Sequence, residues 1–229
     1  MAAEVSEKRD RRAALLEAGR QVLAEKGLEA AKVSDIVARA GVAQGTFYLY
    51  FPSKLSLVVA LVQAMNSDTM AAVSAAVASA PSLGAAIDAA VAAAFTAMER
   101  FRDVLGIVLS TSTLVEIRVE CHRLFDPIVA YVAGIIRQGQ ADGDIYAQIN
   151  PEISARLIIH LIEHAGQECY VFNTETPSTA FITEVAQFIR HAMGVRARPA
   201  REEGHSGHRG PEGPAHRGGR SARGVTAGG

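Results

Sequence analysis

The stretch VSDIVARAGVAQGTFYLYF, residues 33–51, carries two short helical patterns separated by a glycine. Apolar residues recur at helical spacing in the first pattern, which predicts a helix over 33–40 that Gly41 ends. A second helix is predicted over 44–51, before Pro52. A helix, a tight turn and a second helix form the helix-turn-helix pattern, whose second helix enters the major groove of DNA. Other all-α proteins also contain two short helices joined by a glycine, so the spacing alone leaves both interpretations open.

Further residues around this stretch favour the DNA-binding interpretation. The chain carries the motif Val33-x-Asp35-Ile36-x-x-x-Ala40-Gly41-Val42-x-x-Gly45-Thr46-x-Tyr48-x-Tyr50-Phe51-x-x-Lys54-x-x-Leu57. Over roughly residues 8–60 it resembles the tetracycline-repressor (TetR) family of bacterial regulators. The resemblance implies a homodimeric transcriptional regulator of operator DNA. Lys32 and Ala43 depart from the family, which commonly has a threonine and a serine as helix caps there, and Tyr50 replaces a common histidine.

The second helix carries side chains that suit contacts with DNA. Gly45 lets the start of the helix approach the DNA backbone, and Gln44 can bond adenine in both directions. Thr46 and Phe47 can touch a thymine methyl, with partial burial in the core as the alternative for Phe47. The tyrosine hydroxyls and the lysine that follows suit phosphates, which position the protein without reading sequence. The predicted DNA-binding residues are Lys32, Ser34, Gln44, Gly45, Thr46, Phe47, Tyr48, Tyr50 and Lys54.

The composition predicts an all-α fold. Of the 229 residues, 49% are hydrophobic and only 6% are aromatic, so alanine and aliphatic residues supply the core. Such a composition favours helices, because alanine loses least on entering one. The net charge of -1 is unevenly spread, with nine basic and seven acidic residues over 1–60 and seven basic and three acidic over 196–229. Both ends therefore suit a polyanion better than the acidic middle does.

We predict three segments along the chain. A helix-turn-helix domain spans 8–53, an effector-binding and dimerisation domain spans 54–195, and a disordered tail rich in glycine, arginine and histidine spans 196–229. The two cysteines make no disulfide framework, and the charged N-terminus lacks the apolar core of a signal peptide. The long uncharged run over 69–87 is too polar to span a membrane. A soluble, cytoplasmic protein without a membrane partner is expected.

The middle of the chain contains a set of apolar and aromatic side chains that could line a cavity between helices. Plain core is the alternative for each of them taken singly. Few charges lie among them, which predicts a mostly apolar small-molecule effector; a cationic drug and a fatty-acyl thioester are the other options. Only Arg118, Arg123 and Arg156 could meet the phosphates of such a thioester. The predicted effector-binding residues are Phe95, Met98, Phe101, Leu105, Val108, His122, Phe125, Tyr131 and His164.

The last two predicted helices are apolar along one side and could pair with their copies as a four-helix bundle. A two-fold dimer would also let two recognition helices read the halves of a palindromic operator. The predicted interface residues are Ile158, Leu161, Ile162, Ala165, Phe181, Val185, Phe188 and Ile189.

Other functions have weaker support in the sequence. His160 and His164 lie one helical turn apart and could share a metal ion with His122, but a polar rim is the better interpretation, so no metal and no cofactor are expected. An enzyme could use one of these histidines as a base, although no nucleophile or phosphate-binding loop accompanies them. A DNA-architectural protein without an effector is the third alternative, and it predicts a well-packed second domain. Cys121 and Cys169 are predicted to be buried thiols.

Overall fold

The computed structural model describes residues 2–111, 119–120, 122–173 and 175–195, and of residues 2–5 and 111 it describes the backbone alone. The described residues form helices and contain no β-strand, which confirms the predicted all-α class. The segment over 196–229, predicted as a disordered tail, lies outside the described residues.

The first three helices are α1 (Ala2–Ala30), α2 (Val33–Ala40) and α3 (Gln44–Tyr50). Gly27 interrupts α1 with φ 73° and ψ 171°, and a further helical turn follows it. Gly41 ends α2 in the left-handed conformation at φ 68° and ψ 30°, where glycine has no steric cost.

The N-terminus of α2 shows how the chain compensates for a lysine at the cap position. Lys32 supplies no side-chain acceptor for the free N–H groups of the first turn. The Asp35 carboxylate accepts a hydrogen bond of 3.1 Å from the Lys32 backbone N–H instead. Half of a capping box therefore remains at this end of the helix.

The larger part of the chain contains six further α-helices among the described residues. They are α4 (Lys54–Ala78), α5 (Leu83–Arg100), α6 (Arg102–Thr111), α7 (Asp126–Ala141), α8 (Pro151–Gln167) and α9 (Ser178–Met193). The side chains of Ser53, Ser82 and Asn150 accept hydrogen bonds from the first turns of α4, α5 and α8. One π-helical turn, Glu168–Phe172, continues α8.

Helix α4 connects the two parts of the fold. It packs along α5 and also contacts α1 and α6, while α7 packs against α8, and α9 packs against α5 and α8. At the crossing of α1 and α4, a Cβ placed on Gly19 would lie 2.4 Å from Cδ2 of the buried Leu57. The helices approach this closely because residue 19 has no side chain.

Helix α4 is also the one described helix that is long and apolar enough to cross a membrane by length and composition. The core helix of a helical protein has the same character, and one such helix is weak support for a span. Six of its residues are buried against the neighbouring helices: Leu57, Val58, Ala60, Leu61, Val62 and Met65.

Candidate DNA-binding surface and ligand cavity

Helix α3 has one buried face and one exposed face. Phe47 and Phe51 lie one turn apart and pack inward, with their ring centroids 5.7 Å apart. The exposed face carries Gln44, Gly45 and Tyr48, which the sequence predicted, and the predicted residues Thr46 and Tyr50 are half-buried at its edges. Lys32 and Ser34, at the start of α2, are exposed as well. The exposed side chains therefore form a surface that includes most of the predicted DNA-binding residues.

The prediction that Phe47 faces base edges is wrong. Its side chain is 0% exposed and packs in the core formed by α1, α2 and α3. Helix α3 has only seven residues, so one buried aromatic side chain per turn is what attaches it to the rest of the fold. Tyr48 packs edge-on against the Phe47 ring, at 5.4 Å between centroids, and this contact orients the exposed tyrosine.

Sequence reasoning missed Leu49, which is 79% exposed on α3. Leu49 follows Tyr48 and lies one helical turn after Gly45, so it belongs to the same exposed face. If Phe47 and Phe51 are assigned to the inward face of α3, the four-residue spacing from Gly45 predicts that Leu49 is exposed.

Contrary to the prediction, the Lys54 side chain does not extend from the proposed DNA-binding surface. Its Nζ donates hydrogen bonds of 2.6 Å to the carbonyl oxygens of Leu28 and Ala31, at the end of α1 and just after it. These carbonyls lack helical partners, and a cation satisfies them well. The ammonium is therefore committed to fastening the first turn of α4 to the end of α1, and the assignment of Lys54 to phosphate is corrected.

Ion pairs hold α2 against α1 behind the exposed surface. Arg39 donates two hydrogen bonds of 2.7 Å to the carboxylate of Glu25, and Lys26 lies 2.9 Å from Asp35. The hydrogen bond from Arg39 lowers the pKa of Glu25, and the one from Lys26 lowers the pKa of Asp35. A two-bond arginine–carboxylate pair fixes orientation as well as distance, so this pair sets how α2 lies against α1.

The larger helical part contains an apolar cavity of about 170 Å³. Its lining comes from helices α4 to α9 and two nearby loop positions. The lining residues are Met65, Asn66, Thr69, Met70, Val73, Val77, Leu83, Ala86, Ile87, Ala90, Val91, Ala94, Met98, Leu105, Phe125, Ile128, Tyr131, Val132, Ile135, Ile136, Ile145, Ile158, Ile159, Ile162, Glu163, Ile189 and Met193.

Four of the predicted effector-binding residues line this cavity, namely Met98, Leu105, Phe125 and Tyr131. Five of them are not among its lining residues. Phe95 is fully buried against Tyr170, Phe101 lies under the Arg20 guanidinium, and Val108 is half-buried on α6. His122 and His164 are exposed. These five assignments are corrected, because apolar character alone does not separate the wall of a cavity from plain core or from a rim.

Sequence reasoning also missed the contribution of α4, which supplies six lining residues from Met65 to Val77. After Lys54, the one charged residue of α4 is Asp68. A helix with so few charges is expected to pack against protein on more than one side, and that signal could have placed α4 beside the cavity.

The predicted dimer interface divides between the inside and the outside of the protomer. Val185 and Ile189 are buried, so these two residues are unavailable to a partner and their assignment is corrected. Ile158 and Ile162 line the cavity but are half-buried, and their place in an interface stays a prediction. Leu161, Ala165 and Phe181 are half-buried, whereas Phe188 is 64% exposed. Three further apolar side chains at this end of the chain are 61–65% exposed: Ile153, Leu157 and Phe172.

His122, His160 and His164 lie at the surface rather than in the cavity wall. His122 and His160 stack with their centroids 5.9 Å apart, and Arg156 lies 3.2 Å from His122 Nε2. His160 Nδ1 is 3.3 Å from Glu163 Oε2. Within the described residues, no group of three His, Cys, Asp or Glu side chains could hold a metal ion. Cys169 is a buried free thiol whose pKa burial raises, and Cys121 lies outside the described residues.

Two family models match this chain, and both describe tetracycline-repressor proteins. The model of bacterial regulatory proteins of the tetR family matches residues 15–61, which contain α2, α3 and the start of α4. The model of the tetracyclin repressor-like C-terminal domain matches residues 87–193, which contain much of the cavity wall. The chain belongs to the TetR family of bacterial transcriptional regulators.

Individual TetR-family relatives match over most of the chain. An uncharacterized HTH-type transcriptional regulator of Bacillus subtilis, YvdT, is 28% identical and covers 79% of this chain and 93% of its own length. The transcriptional repressor DhaR of a Mycobacterium species is 28% identical over 75% of this chain and 88% of its own. The crystal structure of FadR from Bacillus subtilis in complex with stearoyl-CoA has the same fold, with a TM-score of 0.68, 19% identity and coverage of 77% of this chain and 96% of that one.

Replacement of Lys54 by methionine tests its role in this TetR-family fold. The side chain keeps its length, but the carbonyls of Leu28 and Ala31 lose their donor. We expect the free energy of unfolding to fall by about 1–2 kcal/mol, since partly buried acceptors are left without partners. Urea unfolding measures this. Lys32→Met, at an exposed lysine, is the control and should change stability little. Unchanged stability of Lys54→Met combined with weaker DNA binding would return Lys54 to the phosphate role.

Proposed function

We propose that the chain is a repressor that binds a palindromic operator as a homodimer and is released by a mostly apolar small molecule. The observation that carries this proposal is the continuity of α4, which is separated from α3 by three residues and whose middle lines the apolar cavity. A ligand that favours one placement of α4 will also favour one placement of the recognition helix. We expect this protein to act in the cytoplasm, where operator DNA lies.

A neutral effector fits the cavity better than a coenzyme A thioester does. The stearoyl-CoA complex of Bacillus subtilis FadR shows that a relative in fold binds an acyl thioester. Here the candidate cations already have partners: Arg123 lies 3.1 Å from Glu120 and Arg156 lies 3.3 Å from Asp126, while Arg118 lies outside the described residues. An apolar cavity of about 150 Å³ holds benzene, so a cavity of this size suits a compact apolar molecule.

The alternatives have less support. A DNA-architectural protein without an effector predicts a closed, well-packed second domain, whereas the second part of this fold contains a cavity of about 170 Å³. An enzyme that uses this cavity would need a base in its wall, but His122, His160 and His164 are exposed and are not among the lining residues. The family itself consists of transcriptional regulators.

Binding of DNA from immediately upstream of its own gene tests the proposed recognition surface. Gln44→Ala should weaken binding to that DNA about tenfold and reduce the preference over unrelated DNA, because a base contact is lost. Tyr48→Phe should weaken binding to both DNAs by a similar small factor, since a phosphate contact carries no sequence information. Titrations over a salt series with unrelated competitor DNA measure both effects. Tyr146→Phe, at an exposed tyrosine far along the chain, is the matched control. Equal affinity of all variants would refute the proposed surface.

The exposed apolar side chains near the C-terminal end are proposed as the dimer interface. Leu157→Asp combined with Phe188→Asp should convert the dimer to a monomer at micromolar concentration, because both side chains are more than half exposed and a buried charge in an interface is costly. Sedimentation velocity measures the change. Leu49→Asp removes an even more exposed leucine on α3 and should leave the dimer intact. A dimer that survives the double change would place the interface elsewhere.

An ion pair connects α1 to α6, a helix that contributes to the cavity wall. Arg20 on α1 donates hydrogen bonds of 2.6 and 2.8 Å to the Asp103 carboxylate on α6, and one of 2.7 Å to the Arg100 carbonyl. Burial acts to raise the pKa of Asp103, but Arg20 outweighs it, so the pKa is lowered. The contribution of the pair to stability is therefore lost only as pH falls through this lowered pKa. Two residues after Asp103, Leu105 lines the cavity.

We therefore expect Asp103→Asn to weaken operator binding about threefold to tenfold, because α1 loses its ion pair with α6. This effect is expected although Asp103 lies outside the proposed DNA surface. Arg20→Gln should have a similar effect, and the double variant should be no worse than either single variant. Titration of the same upstream DNA measures this cycle. Glu17→Gln, at an exposed carboxylate 4.0 Å from Arg20, is the control. Effects that simply add would show that the pair has no joint role.

A further inference from the structure

Four residues of the cavity wall carry polar side-chain groups, namely Asn66, Thr69, Tyr131 and Glu163, and Thr69 and Glu163 are engaged within the protein. The Thr69 hydroxyl donates a hydrogen bond of 2.8 Å to the Met65 carbonyl within α4. The Glu163 carboxylate faces His160 Nδ1 at 3.3 Å and accepts a hydrogen bond of 3.5 Å from Gln167. Their hydrogen-bonding capacity is thus directed within the protein rather than into the cavity.

Asn66 differs from these residues. It lies on α4 in the cavity wall, and its amide Nδ2 is buried without a hydrogen-bond partner among the residues that the structure describes. Buried amide groups are almost always paired, because the loss of hydrogen bonds to water is otherwise uncompensated. Asparagine is also a weak helix former, so neither the helix nor its packing explains an amide at this position.

We propose that the effector carries a hydrogen-bond acceptor, such as a ketone, ester or amide oxygen, that pairs with Nδ2 of Asn66. The inference rests on the proposed function, in which the cavity receives the effector. Rotation about the Cβ–Cγ bond turns the amide within the wall and brings Nδ2 to an acceptor on the ligand. The apolar remainder of the ligand fills the cavity, and the single polar contact sets its orientation and selects it against hydrocarbons of the same shape.

The position of Asn66 gives this contact a second consequence. Asn66 lies about 18 Å along α4 from Lys54, at the usual rise per residue, and Lys54 fastens that helix to α1. A ligand held by Asn66 therefore bonds directly to the helix that the cavity and the DNA-binding part share. An apolar ligand of the same size fills space but makes no directed contact with α4.

A pair of ligands with the same shape tests the proposal. α-Methylstyrene has a methylene group where acetophenone has a carbonyl oxygen, so only acetophenone can accept a conventional hydrogen bond. Displacement of a fluorescent apolar probe, 1-N-phenylnaphthylamine, gives the dissociation constant of each ligand for the full-length protein. The measured quantity is the preference for acetophenone over α-methylstyrene in each variant. We expect this preference to fall about tenfold in Asn66→Leu.

The controls separate the role of Asn66 from a loss of folding. Asn66→Leu keeps the size of the side chain and removes the unpaired amide, so the ligand-free variant should melt at the same temperature as the unmodified protein or higher. Gln63→Leu removes an exposed amide from the same helix and should leave the preference unchanged. An unchanged preference in Asn66→Leu, with both ligands still bound, would overturn the role of Asn66 alone. Failure of the unmodified protein to bind either ligand would overturn the cavity as a ligand site, and the inference with it.

Discussion

The close crossing of α1 and α4 is the constraint on which the rest of the structure depends. Leu57 is fully buried at this crossing, and any side chain on Gly19 would collide with it. Next to the crossing, the Lys54 ammonium satisfies two carbonyls at the end of α1. The start of α4 thereby has a fixed position relative to α1, and α2 and α3 have one as well, through the Arg39–Glu25 pair and the burial of Phe47.

This arrangement makes α4 common to both functional surfaces. Its first turn follows the recognition helix, and its middle lines the cavity, so the DNA-binding part and the cavity share a continuous helix. The Arg20–Asp103 ion pair is a second connection between α1 and the cavity wall, because α6 carries both Asp103 and the lining residue Leu105. Helices α4 and α6 both contact α1, and both contribute residues to the cavity wall. Occupancy of the cavity can therefore bias the placement of α3, provided that the ligand binds one arrangement of these helices better than another.

The sequence predicted local features well and tertiary features less well. Gly41 ends α2 as expected, because a helix cap depends on nearby residues. The burial of Phe47 could not be settled, because α3 is too short for its apolar spacing to show which side faces inward. The partners of Lys54 are carbonyls more than twenty residues away, which no local pattern reveals.

Helix α8 shows the same limit at the cavity. It is apolar on two sides, with Leu157 facing solvent and Ile158 and Ile162 facing the cavity. A single apolar stripe predicts burial but does not say whether a cavity, a core or a second protomer covers it. The unpaired amide of Asn66 is likewise invisible in the sequence, where it is one polar residue in an apolar helix.

The most direct test of the link between cavity and DNA surface is the distance between the two α1 helices of a dimer. Residue 21 is exposed on α1, so Gln21→Cys can carry a nitroxide label in a protein whose Cys121 and Cys169 are replaced by alanine. Pulsed electron paramagnetic resonance then measures the distance between the two labels of a dimer. Acetophenone should shift the distance distribution in this protein and leave it unchanged after Ala90→Leu, which fills part of the cavity. A distribution that stays the same while acetophenone occupies the cavity would contradict the account.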